Sequence, residues 1–207
     1  MVSVRQARAP YFFRRIIMQT KMSVEKLAVS AVLLALSITL TFVKVWAMPM
    51  GGEVTLLSML PVALVSFKYG LKQGFLTAFL FSLFHLIKGI FSGNVFVYCV
   101  TVWAVVICVL FDYLVPFTAI GIAGIFKKGG AVGAALGMAL ACVIRFACHF
   151  VTGVVIWGQW APEGQSKFIY SLLYNGQYML PECIFSCIAI VLLAISPFWK
   201  RYITDRA

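Results

Sequence analysis

The chain has 207 residues, 63% of them hydrophobic and only 11% charged, with a formal net charge of +11. A soluble domain averages roughly 45–50% apolar and about 25% charged residues, and a chain this short cannot hide so large an apolar surplus within itself. A soluble globular fold is excluded, and the surplus must face lipid. The charge is not spread evenly. Of 17 Lys and Arg residues, six lie before or at the start of the first apolar run (Arg5, Arg8, Arg14, Arg15, Lys21 and Lys26), and Lys200, Arg201 and Arg206 follow the last. Basic clusters beside membrane spans set orientation and touch anionic headgroups, so the bilayer is the expected partner and nucleic acid is not.

Residues 1–22 read as a basic N-terminal arm on the cytoplasmic side, and residues 23–207 as one transmembrane domain. The apolar stretch after the arm is too long for a signal-peptide core, so it reads as a retained first span; Met22 is an alternative start. A hydrocarbon core about 30 Å thick needs roughly 17–25 apolar helical residues. The first run covers residues 23–46 and ends at a Pro/Gly-rich break, Met48-Pro49-Met50-Gly51-Gly52, expected to be a turn or loop. The second, residues 54–67, is short and contains Pro61; the third covers 71–90. The fourth, 95–126, is interrupted by Asp112 and Pro116 and predicts one tilted or kinked helix, since no polar turn divides it. The fifth covers 131–157 and, after a polar loop, the sixth covers 168–198.

The expectation is an all-α integral membrane protein of six helices with both termini inside. That orientation leaves only Lys44, Lys88, Arg145 and Lys167 outside or within the membrane, as the positive-inside rule requires. No internal repeat supports an inverted-repeat transporter. On the first helix Ala28, Ala31 and Ala35 include a small-xxx-small pair that would let another helix approach closely, a spacing also common by chance. The six cysteines sit in apolar runs without metal-ligand spacing and read as small buried hydrophobes. There is no phosphate-binding loop, H-E-x-x-H or G-x-S-x-G, so no ATP use of that kind, metalloprotease or hydrolase chemistry is expected.

Ionisable groups inside spans are expensive and usually functional. Here they are Asp112, Arg145, His149 and Glu182, with His85 and Lys88 toward the outer end of the third helix. Arg145, His149, Gly153 and Trp157 recur every four residues and would line one face of the fifth helix. Either they wall a pocket, or Arg145 pairs structurally with Asp112 or Glu182 while Trp157 anchors at the interface. On the sixth helix Tyr174 or Asn175, with Tyr178 and Glu182, repeat the pattern, preceded by Tyr170. A buried amide must be paired, and one that both donates and accepts suits a heterocycle edge. Asp112 stands in an apolar stretch beside Tyr113, and its carboxylate needs a cation, supplied by Arg145 or by a ligand. Aromatic rings add cation–π attraction. Carboxylate, aromatics and amide together describe a site for a flat, positively charged heterocycle.

Several of these stretches resemble one family. The run Gly51-Gly52-Glu53-Val54-Thr55-Leu56-Leu57-Ser58-Met59-Leu60-Pro61 is similar to the first loop and second helix of the thiamine-specific substrate-binding subunit (S component) of energy-coupling factor (ECF) transporters. So are Asp112-Tyr113-Leu114-Val115-Pro116 with residues 121–126, Arg145-Phe146, Cys148-His149-Phe150, Gly153, Trp157, Tyr170-Ser171-Leu172, Asn175-Gly176 and Pro181-Glu182. The resemblance covers about residues 23–200. It implies a six-helix protein of a prokaryotic plasma membrane that captures a vitamin at the outer face, is not itself an enzyme and carries no cofactor. The implied partners are thiamine, a transmembrane coupling subunit, which would pack on Ala28, Ala31 and Ala35, and two ATPase subunits. The implied ligand-binding residues are Asp112, Tyr113, His149, Gly153, Trp157, Tyr170 and Asn175. Two positions depart from the family pattern: Gly52 stands where some members place a loop tryptophan, and Asp112 is one methylene shorter than their glutamate. A related pyrimidine or cationic vitamin therefore remains an alternative ligand, and a stand-alone secondary transporter an alternative class.

Overall fold

The structure, a computed structural model, describes residues 8–49, 51–92 and 96–204. Its helices are α1 (Arg8–Thr41), α2 (Met59–Tyr69), α3 (Leu71–Ser92), α4 (Val102–Cys108), α5 (Val115–Thr118), α6 (Gly130–Val155), α7 (Lys167–Ile195) and the short α8 (Pro197–Trp199). Residues 1–7 of the expected arm lie outside the described residues, and residues 8–22 continue α1.

Among the described residues, four stretches are long and apolar enough to cross a membrane: Ser23–Thr41, Leu71–Ser92, Val102–Val155 and Lys167–Ile195. The third contains 54 residues and doubles back. Phe126 leaves helical geometry, Gly130 adopts a φ of 61°, and the 3-10 segment Ala119–Gly129 then packs along α6. The expected fourth and fifth spans are thus two arms of one hairpin. With α2 they make six helical segments. Eleven residues of α2 rise only about 16 Å, so α2 cannot cross a bilayer alone. It is instead buried along most of its length, contributing Met59, Leu60, Val62, Ala63 and Phe67 to the central core.

Two expectations need correction. The first run does not stay helical to residue 46: residues 44–47 (β1) and 53–55 (β2) pair as an antiparallel hairpin, with Trp46 opposite Val54, and the expected turn between Met48 and Gly52 closes it. The helix therefore ends at Thr41, before the β-branched run Val43–Val45 that favours extended backbone. The fourth run is also not one bent α-helix. Between α4 and α5 the chain makes a π-helical turn, Val109–Leu114, closed by a Val115 N–H to Leu110 carbonyl bond. Pro116 has no N–H to offer the Asp112 carbonyl four residues back, and the hydrogen-bond register slips at that point.

Candidate functional site

The hairpin, the second half of α3, the π turn, the second half of α6 and the first half of α7 enclose a cavity of about 180 Å³ at one end of the bundle. Drug-sized sites typically run to roughly 300–1,000 Å³, so this one selects a compact solute. Asp112, Tyr113, His149, Gly153, Trp157, Tyr170 and Asn175 all line it.

Asp112 is the electrostatic centre. The π turn aims its carboxylate across to α6, where Oδ1 accepts from the Thr152 hydroxyl and lies 3.1 Å from His149 Nδ1. Its Oδ2 accepts from Trp157 Nε1 at 3.2 Å. Arg145 is not its partner, nor that of Glu182. The Arg145 guanidinium sits 4.7 Å above the Phe117 ring and donates to the Met59 sulfur. Glu182 accepts instead from the Thr55 backbone N–H at 2.7 Å and the Thr55 hydroxyl at 2.9 Å, pinning the base of the hairpin to α7. Neither structural ion pair open to Arg145 in the sequence forms.

Trp157 does not continue the α6 face. That helix ends at Val155, and Trp157 opens a 3-10 turn, where it meets Trp160 at 5.8 Å and Tyr98 at 6.0 Å. Asn175 is fully engaged. Its amide donates to the carbonyls of His149 and Ser171, and its oxygen accepts from the Tyr178 hydroxyl at 2.8 Å. Gly153 is where these groups fit: a Cβ there would overlap the Ser171 hydroxyl and crowd the Asn175 amide. Gly89 on α3 does the same for the Tyr113 hydroxyl, while the Tyr113 ring stacks on Phe96 at 5.6 Å.

Several lining residues were not evident from the sequence: Glu53, Thr55, Ser58, Thr152 and Ser171. Thr152 carries a readable signal, since it lies one turn beyond His149 on the same helix face. Glu53 caps the opening between two lysines, with Lys44 at 2.6 Å and Lys88 at 3.0 Å. Partial burial works against its ionised form, but the two ammonium groups win and hold the carboxyl below its ordinary range. The hairpin tip rests on α7, where the Tyr174 hydroxyl donates to the Gly51 carbonyl at 2.9 Å. Gly52, with a φ of 91°, lies flat on the Tyr178 ring, and a Cβ would come within 2.6 Å of Tyr178 Cε1. A tryptophan cannot occupy that position, and Trp46 does not stand in for it: it is 55% exposed and absent from the cavity wall.

By formal charge the wall carries three carboxylates, Glu53, Asp112 and Glu182, against two cations, Lys88 and Arg145. Lys44, outside the wall, pairs with Glu53 at 2.6 Å and brings the count to three of each sign, but among the described residues no Lys or Arg is ion-paired with Asp112. His85 and Arg145 line the cavity, and the buried His85 Nε2 and Arg145 Nε have no hydrogen-bond partner among the described residues. His85 is held in place by stacking on Phe117 at 3.7 Å. Among the described residues, no cluster of three or more His, Cys, Asp or Glu could hold a metal ion.

Comparison with known proteins now decides the family. The profile of the thiamine transporter protein family (Thia_YuaJ) matches residues 27–199. The chain belongs to this family. It is 35% identical over 159 residues to the thiamine transporter ThiT of Bacillus subtilis (strain 168), covering 71% of this chain and 77% of that one. To the thiamine transporter ThiT of Lacticaseibacillus paracasei it is 29% identical over 153 residues, 67% of this chain and 72% of the relative. A solved structure of ThiT from Listeria monocytogenes has the same fold, with a TM-score of 0.66 at 22% identity over 84% of this chain and 94% of that one. The family is one of transporters and not of enzymes, and its members are multi-pass proteins of the prokaryotic plasma membrane.

Proposed function

We propose that this chain binds thiamine in the cavity and serves as the substrate-binding subunit of an ECF-type vitamin importer. The observation that carries this reading is Asp112: a carboxylate only 11% exposed, steered by Thr152, His149 and Trp157, and ion-paired with no Lys or Arg among the described residues. The thiazolium would sit against Asp112, with Trp157 offering a ring face and Tyr113, His149, Gly153, Tyr170 and Asn175 completing the contact surface. No cofactor is needed for such binding. Transport energy would come from two ATPase subunits through a transmembrane coupling subunit, seated on the exposed stripe Ala28, Ala31 and Ala35 of α1. The cavity end would face outward and the termini inward, following the distribution of basic residues.

The test is titration of the purified protein with thiamine by calorimetry and tryptophan fluorescence. Saturable binding below micromolar concentration with quenching is expected; a folded protein that gives no heat at micromolar thiamine defeats the assignment. Gly52 favours keeping one other ligand in the same titration, the isolated aminopyrimidine half of thiamine, because no tryptophan can close over the thiazolium from that position. If the half binds as tightly as the whole, the cation is not what Asp112 recognises.

A further inference from the structure

The end of the bundle opposite the cavity carries a second concavity. The α2–α3 turn at Gly70 and the turn from residues 119–129 into α6 bound a groove lined by Leu71, Phe126, Val132 and Leu136, with Lys127 and Lys128 at its mouth. Lys68, in the last turn of α2, and Lys72, in the first of α3, bracket Gly70, and the 119–129 segment packs on both helices. Lys127 and Lys128 therefore border the opening, with Lys68 and Lys72 on the adjoining α2–α3 turn. Among the described residues no carboxylate is seen ion-paired with Lys127 or Lys128, and Glu53, Asp112 and Glu182 line the cavity at the other end.

The groove does not end at the lysines. Val132 and Leu136 are 70% and 56% exposed, and Val143, on the same face of α6, is 61% exposed. An apolar track thus runs from the lysines along a membrane-spanning helix. A free phosphate would satisfy the lysines and leave this track uncovered; a zwitterionic lipid would cover the track but bring its own cation to the lysines. Only an anion joined to a hydrocarbon chain matches both halves.

We propose that this groove is a binding site for one anionic phospholipid, its phosphate held by Lys127 and Lys128 and one acyl chain lying along Val132, Leu136 and Val143. The proposal does not rest on the ligand of the cavity. It is tested by native mass spectrometry of the detergent-purified protein given equal amounts of phosphatidylglycerol and phosphatidylcholine. The expected result is an adduct preference for phosphatidylglycerol of about fivefold or more, reduced to within about twofold in Lys127→Gln/Lys128→Gln and retained in Lys127→Arg/Lys128→Arg. Should the glutamine pair fail to fold, Val132→Ser/Leu136→Ser must lower adduct retention for the same lipid. Equal adducts of both lipids overturn the proposal, as does displacement of phosphatidylglycerol by millimolar glycerol phosphate, which would make this a free-anion site. It is also overturned if the glutamine pair keeps its lipid preference but loses co-purification with a membrane coupling subunit, which would make the patch a protein interface.

Discussion

Around Ser66 the helices of this protein touch backbone to backbone, whereas around Asp112 they part and meet through side chains. In the closed half, the Ser66 hydroxyl donates to the Gly121 carbonyl at 2.6 Å and accepts from the Gly124 N–H at 3.1 Å. A Cβ at Gly74 or Gly124 would strike Ser66, and one at Gly137 would overlap the Ala123 carbonyl oxygen. In the open half the bridges are long side chains: Glu182 to Thr55, Thr152 and Trp157 to Asp112, and Tyr174 to Gly51. Small residues give rigidity because packed backbones have no rotamers to change. Long polar side chains leave space and can be re-partnered. The contrast shows how a largely apolar chain keeps a solute site at one end without loosening the other.

The largest effect should come from filling the closed half. Gly137→Val places new atoms where the Ala123 carbonyl already is, and backbone cannot step aside as a side chain can. Overpacking costs about 1–3 kcal/mol or more, and for a chain of this size each kcal/mol moves the unfolding midpoint roughly 2–4 °C. A fall of about 6 °C or greater in detergent is expected, with thiamine affinity of the folded fraction unchanged. An unaltered midpoint would mean the two halves are not built differently.

Next in size, Asp112→Asn attacks the open half. It keeps most of the volume and part of the hydrogen bonding but removes the charge, so thiamine should bind at least about tenfold more weakly, about 1.4 kcal/mol, with a smaller change in thermal midpoint. Calorimetry beside thermal unfolding separates the roles. A stability loss with intact affinity would recast Asp112 as an anchor for His149, Thr152 and Trp157. Glu182→Gln should do less. Its carboxylate holds Thr55 at the root of the hairpin, and a charged acceptor exceeds a neutral one by about 1 kcal/mol. A threefold to fivefold affinity loss, roughly, is expected, together with faster proteolysis between β1 and β2. Thr55→Val, which spares the backbone bond at 2.7 Å, should fall between wild type and Glu182→Gln. If it is worse, the hydroxyl and not the carboxylate holds the hairpin.

The closed half was the more legible in the sequence. Apolar runs separated by Gly and Lys turns lead directly to helices, because membrane backbone must satisfy its own hydrogen bonds. The open half was legible residue by residue and not pair by pair. Asp112, His149, Trp157 and Asn175 stand out as polar or aromatic groups at helical spacing, and all four reach the cavity. Their partners do not stand out. Thr55 and Glu182 are separated by 127 positions, and no periodicity links them. The spacing of four that aligned Arg145 with Trp157 holds only to Val155, where α6 stops. The hairpin was hidden because Val43 and Val45, exposed in the structure, read like the tail of a span. Pro116 was a visible clue to the π turn, but a proline alone announces a missing bond and not which register replaces it.

The smallest expected effect tests the seam between the two modes of construction. Glu53 joins the hairpin to α3 through Lys88 and is shared with Lys44, at 24% side-chain exposure. Pairs this accessible contribute about 0.2–1 kcal/mol, so Glu53→Gln should leave the midpoint within roughly 1–2 °C of wild type at neutral pH. The pH dependence is the sharper readout. The lysines hold the folded-state pKa of Glu53 below its unfolded value, so its contribution is present above the ordinary carboxylate range and is lost as pH falls through the folded value. The protein as a whole also changes charge in acid, so the quantity to follow is the difference between wild type and Glu53→Gln. That difference should be largest at neutral pH and shrink toward zero as pH falls below the folded pKa, where both proteins carry an uncharged side chain at position 53. If it instead persists in acid, Glu53 holds the hairpin by shape and not by charge, and the opening of the cavity is as mechanically closed as its floor.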